Sequence, residues 1–158
     1  MQYWLMKSEP DVFGIDHLQA RPRKTEPWDG VRNYQARNFM RDMRKGDQVF
    51  FYHSSCPVPG IVGIMEIVRE AFPDPSQFDP ESKYYDPRSE ADNPRWSQVE
   101  VKFVRKFAQG VSLERLRNHA GELGDFKLLA RGSRLSVIPV STAQWQRILA
   151  LESQESAG

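Results

Sequence analysis

The sequence predicts an α+β domain in which about five strands form a small curved barrel beside three or four short helices. Strand-like runs follow one another along the chain with only short helical segments between them. The 158 residues provide room for one domain. The mixture of 39% hydrophobic and 27% charged residues is typical of a soluble globular chain and not of a disordered one.

The N-terminal part is expected to hold one strand and two helices. Residues 3–6 are an aromatic and apolar run, which predicts a strand that is buried on both faces. A short helix containing residues 13–18 follows it. Residues 20–30 are expected to form a loop because they include two prolines and a glycine. Apolar side chains at near-helical spacing then predict a helix over residues 33–43, with arginines on its polar side.

The middle of the chain predicts three strands and one long irregular segment. Residues 48–53 and 61–68 are strongly strand-like and are expected to pair. Residues 71–94 contain five prolines and six acidic residues, so they predict a long loop, and loops of this length are often functional. Residues 96–107 alternate between apolar and polar side chains, as a half-exposed strand does.

The C-terminal part is expected to hold two helices and a last strand. Ser112 can cap the first of these helices. The strand covers residues 134–140, and Pro139 places it at an edge or an end of the sheet. A helix capped by Ser141 or Thr142 completes a single domain over residues 1–152, and residues 153–158 are expected to form a polar tail.

Composition excludes several classes of protein. No apolar run approaches the roughly 20 residues that cross a bilayer, and the N-terminus does not resemble a secretory signal. The single cysteine, Cys56, cannot form an intrachain disulfide, and with three histidines it makes a metal site unexpected. We therefore expect a cytoplasmic protein without metal, cofactor or membrane partner.

Charge is unevenly distributed although the net charge is only +1. Residues 21–45 carry a net charge of +5, residues 66–100 carry −5, and residues 101–135 carry +5. Two basic stretches thus flank an acidic one. If the basic stretches meet in space, they form a cationic face that suits a polyanion, whereas an ordinary solvated surface is the simpler interpretation of each stretch alone.

No catalytic motif is present. The sequence has no phosphate-binding loop and no nucleophile elbow. His53 is followed by Ser54, Ser55 and Cys56, but adjacency along a chain does not position a base beside a nucleophile. The aromatic residues are more informative, because aromatic rings beside polar groups are how proteins hold an unpaired or flipped base. Trp4, Phe50, Phe51 and Trp145 are expected in the core, whereas Trp28 lies between turn residues.

Several blocks together carry a resemblance to a known family. They are residues 3–10 (YWLMKSEP), 28–38 (WDGVRNYQARN), 46–47 (GD), 51–54 (FYHS), 60–63 (GIVG), Trp96 and 134–137 (RLSV). In this order they resemble EVE domain proteins over nearly the whole chain. The resemblance implies a PUA-like fold, a mixed β pseudobarrel of about five to six strands flanked by short α-helices. It also implies a nucleic-acid-associated role with a pocket for a modified base, and no established enzymatic activity.

Carried onto this sequence, the resemblance predicts a pocket built from three segments. Trp28 and Tyr52 are expected to stack on the base, while Ser8, Asn33 and Ser54 contact its edge. A competing interpretation makes Asp29 a helix cap and lets Asn33 and Arg37 hold the loop. The predicted ligand-binding residues are Lys7, Ser8, Glu9, Trp28, Asn33, Tyr34, Tyr52, His53 and Ser54, and the predicted phosphate-binding residues are Arg32, Arg37 and Arg134.

The resulting functional hypothesis is a non-catalytic reader of a modified or flipped base in DNA or RNA. Phosphate contacts would set its affinity and salt dependence, and the pocket would set its selectivity. Two alternatives remain open. One is a small hydrolase or nucleotide-processing enzyme that uses His53 with Glu9 or a serine, and the other is a scaffold whose acidic loop docks a protein partner.

Overall fold

The computed structural model describes residues 1–157, with the side chains of residues 1–154. The strands are β1 (Tyr3–Ser8), β2 (Thr25–Trp28), β3 (Gln48–His53), β4 (Gly60–Pro73), β5 (Ser97–Ser112) and β6 (Val137–Val140). The helices are α1 (Pro10–Phe13), α2 (Ile15–Ala20), α3 (Tyr34–Asp42), α4 (Leu113–Asn118), α5 (Ala120–Leu123) and α6 (Thr142–Ala157). Short 3-10 turns occupy Pro22–Lys24, Pro75–Phe78 and Lys127–Leu129.

The six strands form one mixed sheet in the order β2-β5-β4-β3-β1-β6. β1 and β3 are parallel, with Ser8 opposite His53, whereas every other neighbouring pair is antiparallel. The predicted pairing of β3 with β4 and the edge position of β6, which contains Pro139, are confirmed. Within residues 1–157 the edge strands β2 and β6 share no ladder, so the sheet is not closed. The predicted α+β class, with about five to six strands and short helices, is confirmed.

The sheet buries a hydrophobic cluster on each face. Trp4 and Met6 point into one cluster, which α2 and α3 cover, while Leu5 points into the other, which α4 and α6 cover. We call these the α3 face and the α6 face. The expected burial of β1 on both sides is therefore confirmed, as is the placement of Trp4, Phe50, Phe51 and Trp145 in the core. Alternation along each strand decides which face a side chain occupies.

Bulges bend the two long strands around α2. The β4–β5 ladder shifts register at four points, and such shifts increase the local twist and bend of a strand. Gly63 lies at one of them. A Cβ there would approach the Ile15 side chain to 2.2 Å and the Arg105 carbonyl oxygen to 2.5 Å. Glycine at this position therefore lets α2 pack directly against the sheet.

Two sequence predictions need correction. Residues 20–30 are not a loop throughout, because Thr25–Trp28 forms β2 and pairs with β5 at the sheet edge. An edge strand tolerates Pro27, which is why the proline did not prevent pairing. Residues 71–94 are also less irregular than expected, since β4 continues to Pro73 and a 3-10 turn follows.

The predicted domain boundary at residue 152 stays a prediction. Helix α6 includes the backbone of residues 153–157, and residue 158 lies outside the described residues. None of the helices in the described part of the chain is both long enough and apolar enough to cross a membrane.

Candidate nucleic-acid interface

A cleft of about 790 Å³ opens where the carboxyl ends of β1, β2 and β3 meet on the α3 face. Clefts of this size are typical of small-molecule sites in proteins. Its walls come from five parts of the chain: the end of β1, the α1–α2 region that follows it, the end of β2, the end of β3 and the loop after β4. The segment before β6 closes it with Arg134 and Ser136.

Trp28 contributes an aromatic surface to the cleft. Its ring meets Phe51 edge-on, with 5.3 Å between ring centroids, and Phe13 edge-on at 6.1 Å. These contacts leave Trp28 only 7% exposed. No hydrogen bond from the Trp28 indole N–H to another described residue is present, whereas the indole N–H of Trp4 donates to Asp47 and that of Trp96 donates to Asp86. Trp28 therefore presents a rigidly held ring and an available donor.

A buried carboxylate fixes the loop that follows Trp28. The side chain of Asp74 is fully buried and accepts hydrogen bonds from the Gly30 backbone N–H at 2.8 Å and from Arg32 at 3.0 Å. Its other oxygen accepts from the Ser76 N–H and hydroxyl. Burial by itself raises the pKa of Asp74, but the hydrogen bonds from Ser76, Gly30 and Arg32 outweigh burial and lower it. Asp74 is therefore an ionised anchor between the cleft loop and the loop after β4.

Arg32 completes this anchor. It donates to the carbonyl oxygens of Tyr84 and Val31, to Asp74 and to the Ser76 hydroxyl. Since guanidinium has five N–H donors, these four bonds leave little capacity for another ligand. Arg32 lines the cleft as predicted, but its main contacts hold the cleft wall together.

The loop after β4 supplies the wall that faces Trp28. The Tyr84 ring packs against Gly30, which has a φ of +80° and whose absent Cβ would lie 2.6 Å from the ring. The buried amide of Gln77 orders the loop by donating to the carbonyl oxygens of Asp74 and Trp96 and accepting from Ser89 and the Trp96 N–H. A segment with many prolines and acids thus becomes a defined wall.

The cleft carries three cations without an anionic partner among the described residues. Lys7, Lys83 and Arg134 line it and make no ion pair there, whereas Arg21 is paired with Glu26 at 2.9 Å. Lys7 stands opposite Tyr52 in the β1–β3 ladder, and its ammonium lies 5.8 Å from the centroid of the Tyr52 ring, so Lys7 borders the cleft from the side of the α6 face. Burial lowers the pKa of Lys7. An anionic ligand would restore the solvation that this ammonium has lost.

A carboxylate also faces the cleft. Asp29 lies between Trp28 and Gly30, and no described residue forms an ion pair or side-chain hydrogen bond with it. Partial burial and then the charge of Asp74 raise the pKa of Asp29, against the lowering effect of its own backbone N–H. The cleft therefore combines an aromatic surface with three cations and the Asp29 carboxylate, none of which forms an ion pair with a described residue. Among the described residues, no group of three or more His, Cys, Asp and Glu side chains is arranged to hold a metal ion.

Seven of the predicted residues line this cleft, and five do not. Those that line it are Lys7, Ser8, Glu9, Trp28, Arg32, Ser54 and Arg134, while Asn33, Tyr34, Arg37, Tyr52 and His53 lie outside its lining. Tyr52 points into the core of the α6 face, because strand alternation separates it from Phe51 and His53. For all twelve residues, contact with a ligand stays a prediction.

His53 holds the α1–α2 junction. Its Nε2 atom accepts a hydrogen bond from the Ile15 backbone N–H at 3.1 Å, and its ring lies edge-on to Phe51. Burial lowers the pKa of His53, although the nearby Asp16 raises it. A neutral imidazole with Nε2 engaged by the backbone is placed to organise the cleft wall and not to abstract a proton.

The beginning of α3 agrees in part with the competing interpretation, in which these residues have structural roles. The Asn33 side chain caps the helix by accepting from the Ala36 N–H, so the capping residue is Asn33 and not Asp29. Tyr34 stacks on Trp96 with 4.8 Å between ring centroids. Arg37 lies over the Tyr34 ring and donates to the Arg95 carbonyl oxygen at 3.0 Å. These contacts tie α3 to the end of the loop that forms the cleft wall.

Sequence reasoning missed several lining residues, notably Phe13, Arg21, Lys83, Tyr84 and Gln98. Lys83 and Tyr84 carry the signal that could have found them, because a cation and an aromatic ring adjoin in the middle of the acidic segment. The others reach the cleft through tertiary contacts that no local pattern predicts.

Comparison with models of protein families identifies the family of this chain. The EVE domain model matches residues 2–151. Thymocyte nuclear protein 1 of Rattus norvegicus is 47% identical over 97% of this chain and 74% of the relative's length. The chain therefore belongs to the EVE domain family.

Solved structures agree with the fold. A Pseudomonas putida protein superimposes with a TM-score of 0.91 at 51% identity, covering 95% of this chain and 99% of that one. Human THYN1 protein in complex with 5-methylcytosine-containing DNA superimposes with a TM-score of 0.92 at 45% identity, covering 96% of this chain and 98% of that one.

Proposed function

We propose that this protein is a non-catalytic reader that binds DNA and receives a modified base, such as 5-methylcytosine, in the cleft beside Trp28. The observation that carries the proposal is the combination, in one cleft, of a fixed aromatic ring with three cations that have no anionic partner among the described residues. An aromatic ring favours a planar heterocycle, and lysine and arginine favour the phosphates that flank it. The DNA-bound human relative supports DNA as the partner and a methylated cytosine as the first base to test.

The predicted site residues take distinct roles in this proposal. Trp28 stacks on or borders the base, Ser8 and Ser54 contact its polar edge, and Lys7 and Arg134 meet the phosphates. Glu9 lies at the exposed rim, and Arg32 fixes the wall. Asn33, Tyr34, Arg37, Tyr52 and His53 support the cleft from outside, and direct ligand contact by them is a secondary expectation.

The hydrolase alternative receives less support. It needs His53 as a base, yet the Nε2 atom of His53 accepts from the Ile15 N–H, and burial lowers the pKa of the imidazole. The scaffold alternative needs a free acidic loop, yet Asp74 and Asp86 are used internally, by Gly30 and Arg32 and by Trp96. A cytoplasmic location stays a prediction, and the animal relatives carry the name Thymocyte nuclear protein 1.

The test of the proposal is a fluorescence-anisotropy titration with two DNA duplexes that differ only in one central cytosine, methylated or unmodified. We expect tighter binding of the methylated duplex. Trp28→Leu keeps apolar bulk but removes the ring, so we expect it to lose roughly 5- to 150-fold in affinity, the equivalent of a stacking contact of about 1–3 kcal/mol.

Trp145→Leu is the matched control, because Trp145 is similarly buried but lies on the α6 face. Both variants lose core packing, so each affinity is corrected for the folded fraction measured by circular dichroism. Equal affinities of Trp28→Leu and Trp145→Leu for the methylated duplex would contradict a base-binding role for Trp28.

A further inference from the structure

Asp29 directly follows Trp28 in the chain, and its carboxylate accepts from its own backbone N–H but forms no ion pair or hydrogen bond with any other described residue. Glu26, the nearest other acid along the chain, is paired with Arg21 at 2.9 Å. Asp74 is saturated by four hydrogen bonds. Glu9 and Asp29 both line the cleft and are both exposed, but Glu9 follows β1 and is not adjacent to Trp28 in the chain. Asp29 alone is both next to Trp28 and open to a ligand donor.

The backbone on both sides of Asp29 is fixed. Trp28 pairs with Val99 in the β2–β5 ladder, and the Gly30 N–H donates to the buried Asp74 at 2.8 Å. Gly30 in turn is covered by the Tyr84 ring. Because the backbone around Asp29 is already ordered, binding of a ligand donor loses no further conformational entropy of this loop. Such preorganisation favours a ligand that places a donor at this position.

We propose that Asp29 determines which base the cleft accepts, by accepting a hydrogen bond from the exocyclic amino group of a cytosine-type base. This inference rests on the base-reading function proposed above and adds the identity of the group that is read. Aspartate is a known acceptor for the cytosine amino group, because an ionised carboxylate offers only acceptors. Thymine carries a carbonyl oxygen at the same position, so Asp29 repels it.

The electrostatics of the cleft agree with this role. The charge of Asp29 is incompletely solvated and lies near that of Asp74, and these two causes raise its pKa. A ligand N–H therefore relieves an unfavourable interaction of the free protein as well as making a bond. A ligand carbonyl oxygen in the same place makes the interaction worse.

5-Methylcytosine and thymine are a matched pair of ligands for the test. Both carry the 5-methyl group, and they differ at position 4 and at the ring nitrogen beside it. Each base is placed opposite an abasic site in otherwise identical duplexes. Neither base is then paired, so a difference in base-pair stability does not contribute to the difference in affinity. Wild-type protein should bind the 5-methylcytosine duplex roughly 5- to 150-fold more tightly than the thymine duplex, the range expected for one well-formed polar base contact.

Asp29→Asn keeps the size of the side chain and adds a donor that can serve the thymine carbonyl. We expect it to reduce the preference for 5-methylcytosine to near unity or to reverse it. Asp29→Ala should weaken binding of 5-methylcytosine selectively, and it provides a second variant if Asp29→Asn does not fold. Asp92→Asn is the control, because it removes the same charge from an exposed acid outside the cleft and should leave the preference unchanged.

The outcomes separate the two proposals. If wild-type protein prefers 5-methylcytosine and folded Asp29→Asn and Asp29→Ala keep that preference in full, the role of Asp29 is refuted while base reading stands. If Asp92→Asn abolishes the preference as Asp29→Asn does, only net charge matters and the specific role is again refuted. If wild-type protein binds the 5-methylcytosine and thymine duplexes equally, the role of Asp29 is refuted, whereas base reading fails only if methylated and unmodified cytosine duplexes also bind equally.

Discussion

Lys7 illustrates how one side chain links burial to ligand binding. Its ammonium is partly buried near the Tyr52 ring and has no ion-pair partner in the described residues. Burial of an unpaired cation is unfavourable, and it lowers the pKa of Lys7 below the ordinary 10.5. The desolvated charge of Lys7 therefore destabilises the free protein, and a bound phosphate would offset this destabilisation.

Lys7 predicts a pH dependence of DNA binding. Because its pKa is lowered, Lys7 loses its charge at a lower pH than an ordinary lysine, and affinity should fall as the pH rises toward 10.5. Lys7→Arg should resist this loss, since guanidinium stays charged. Anisotropy titrations at several pH values measure the DNA affinity of wild type and Lys7→Arg. Lys7→Met provides a variant whose side chain at this position is uncharged at every pH. Parallel pH profiles for wild type and Lys7→Arg would contradict the prediction.

At the scale of elements, the cleft depends on contacts between the β2–α3 loop and the loop after β4. Asp74 joins them through Gly30 and Arg32. Since the folded-state pKa of Asp74 is depressed, its carboxylate contributes stability above the ordinary value of 3.8, and this contribution is lost as the pH falls from 3.8 through the folded-state pKa.

Removing this carboxylate should therefore be costly. Asp74→Ala leaves Arg32 and two N–H groups without their acceptor, so we expect a loss of about 3–5 kcal/mol in the free energy of unfolding. Urea denaturation at neutral pH measures the loss, and the difference from wild type should become smaller only as the pH is lowered below 3.8 toward the folded-state pKa of Asp74. Asp92→Ala, an exposed acid of the same loop, is the control and should change stability by about 0.5 kcal/mol or less. A similar effect of both substitutions would contradict the account of Asp74.

Two elements show what the sequence could and could not predict. Tyr52 and His53 were expected in one pocket, yet neighbours in a strand point to opposite faces, and the predicted strand over residues 48–53 already contained that information. The anchor at Asp74 is different, because its partners Gly30 and Arg32 are more than 40 positions away. No local pattern indicates such a contact, so the cleft wall was not predictable even though Trp28 and Arg134 were.

At the scale of the whole molecule, the two basic stretches of the sequence contribute to one site. Arg21 and Arg32 come from the first stretch and Arg134 from the second, while Lys83 comes from the acidic stretch between them. The net charge of +1 therefore says little about the cleft, where Lys7, Lys83 and Arg134 have no anionic partner among the described residues. Local charge, and not total charge, is what a polyanion meets.

This arrangement predicts a measurable salt effect. If Arg134 contacts a phosphate, Arg134→Ala should weaken DNA binding and should reduce the slope of log K against log salt concentration by about 1. Lys127→Ala removes an exposed cation outside the cleft and should leave the slope near that of wild type. Equal slopes for wild type and Arg134→Ala would exclude a phosphate contact by Arg134.

The most direct measurement of base binding in the cleft is the response of the tryptophan indole N–H signals in a two-dimensional ¹⁵N–¹H NMR spectrum. The chain has four tryptophans, and substitution of each by phenylalanine assigns its signal. On addition of DNA containing 5-methylcytosine, the Trp28 signal should shift or broaden, whereas that of Trp145, on the α6 face, should not move. Saturating DNA that shifts other signals but leaves the Trp28 indole N–H unchanged would contradict the account.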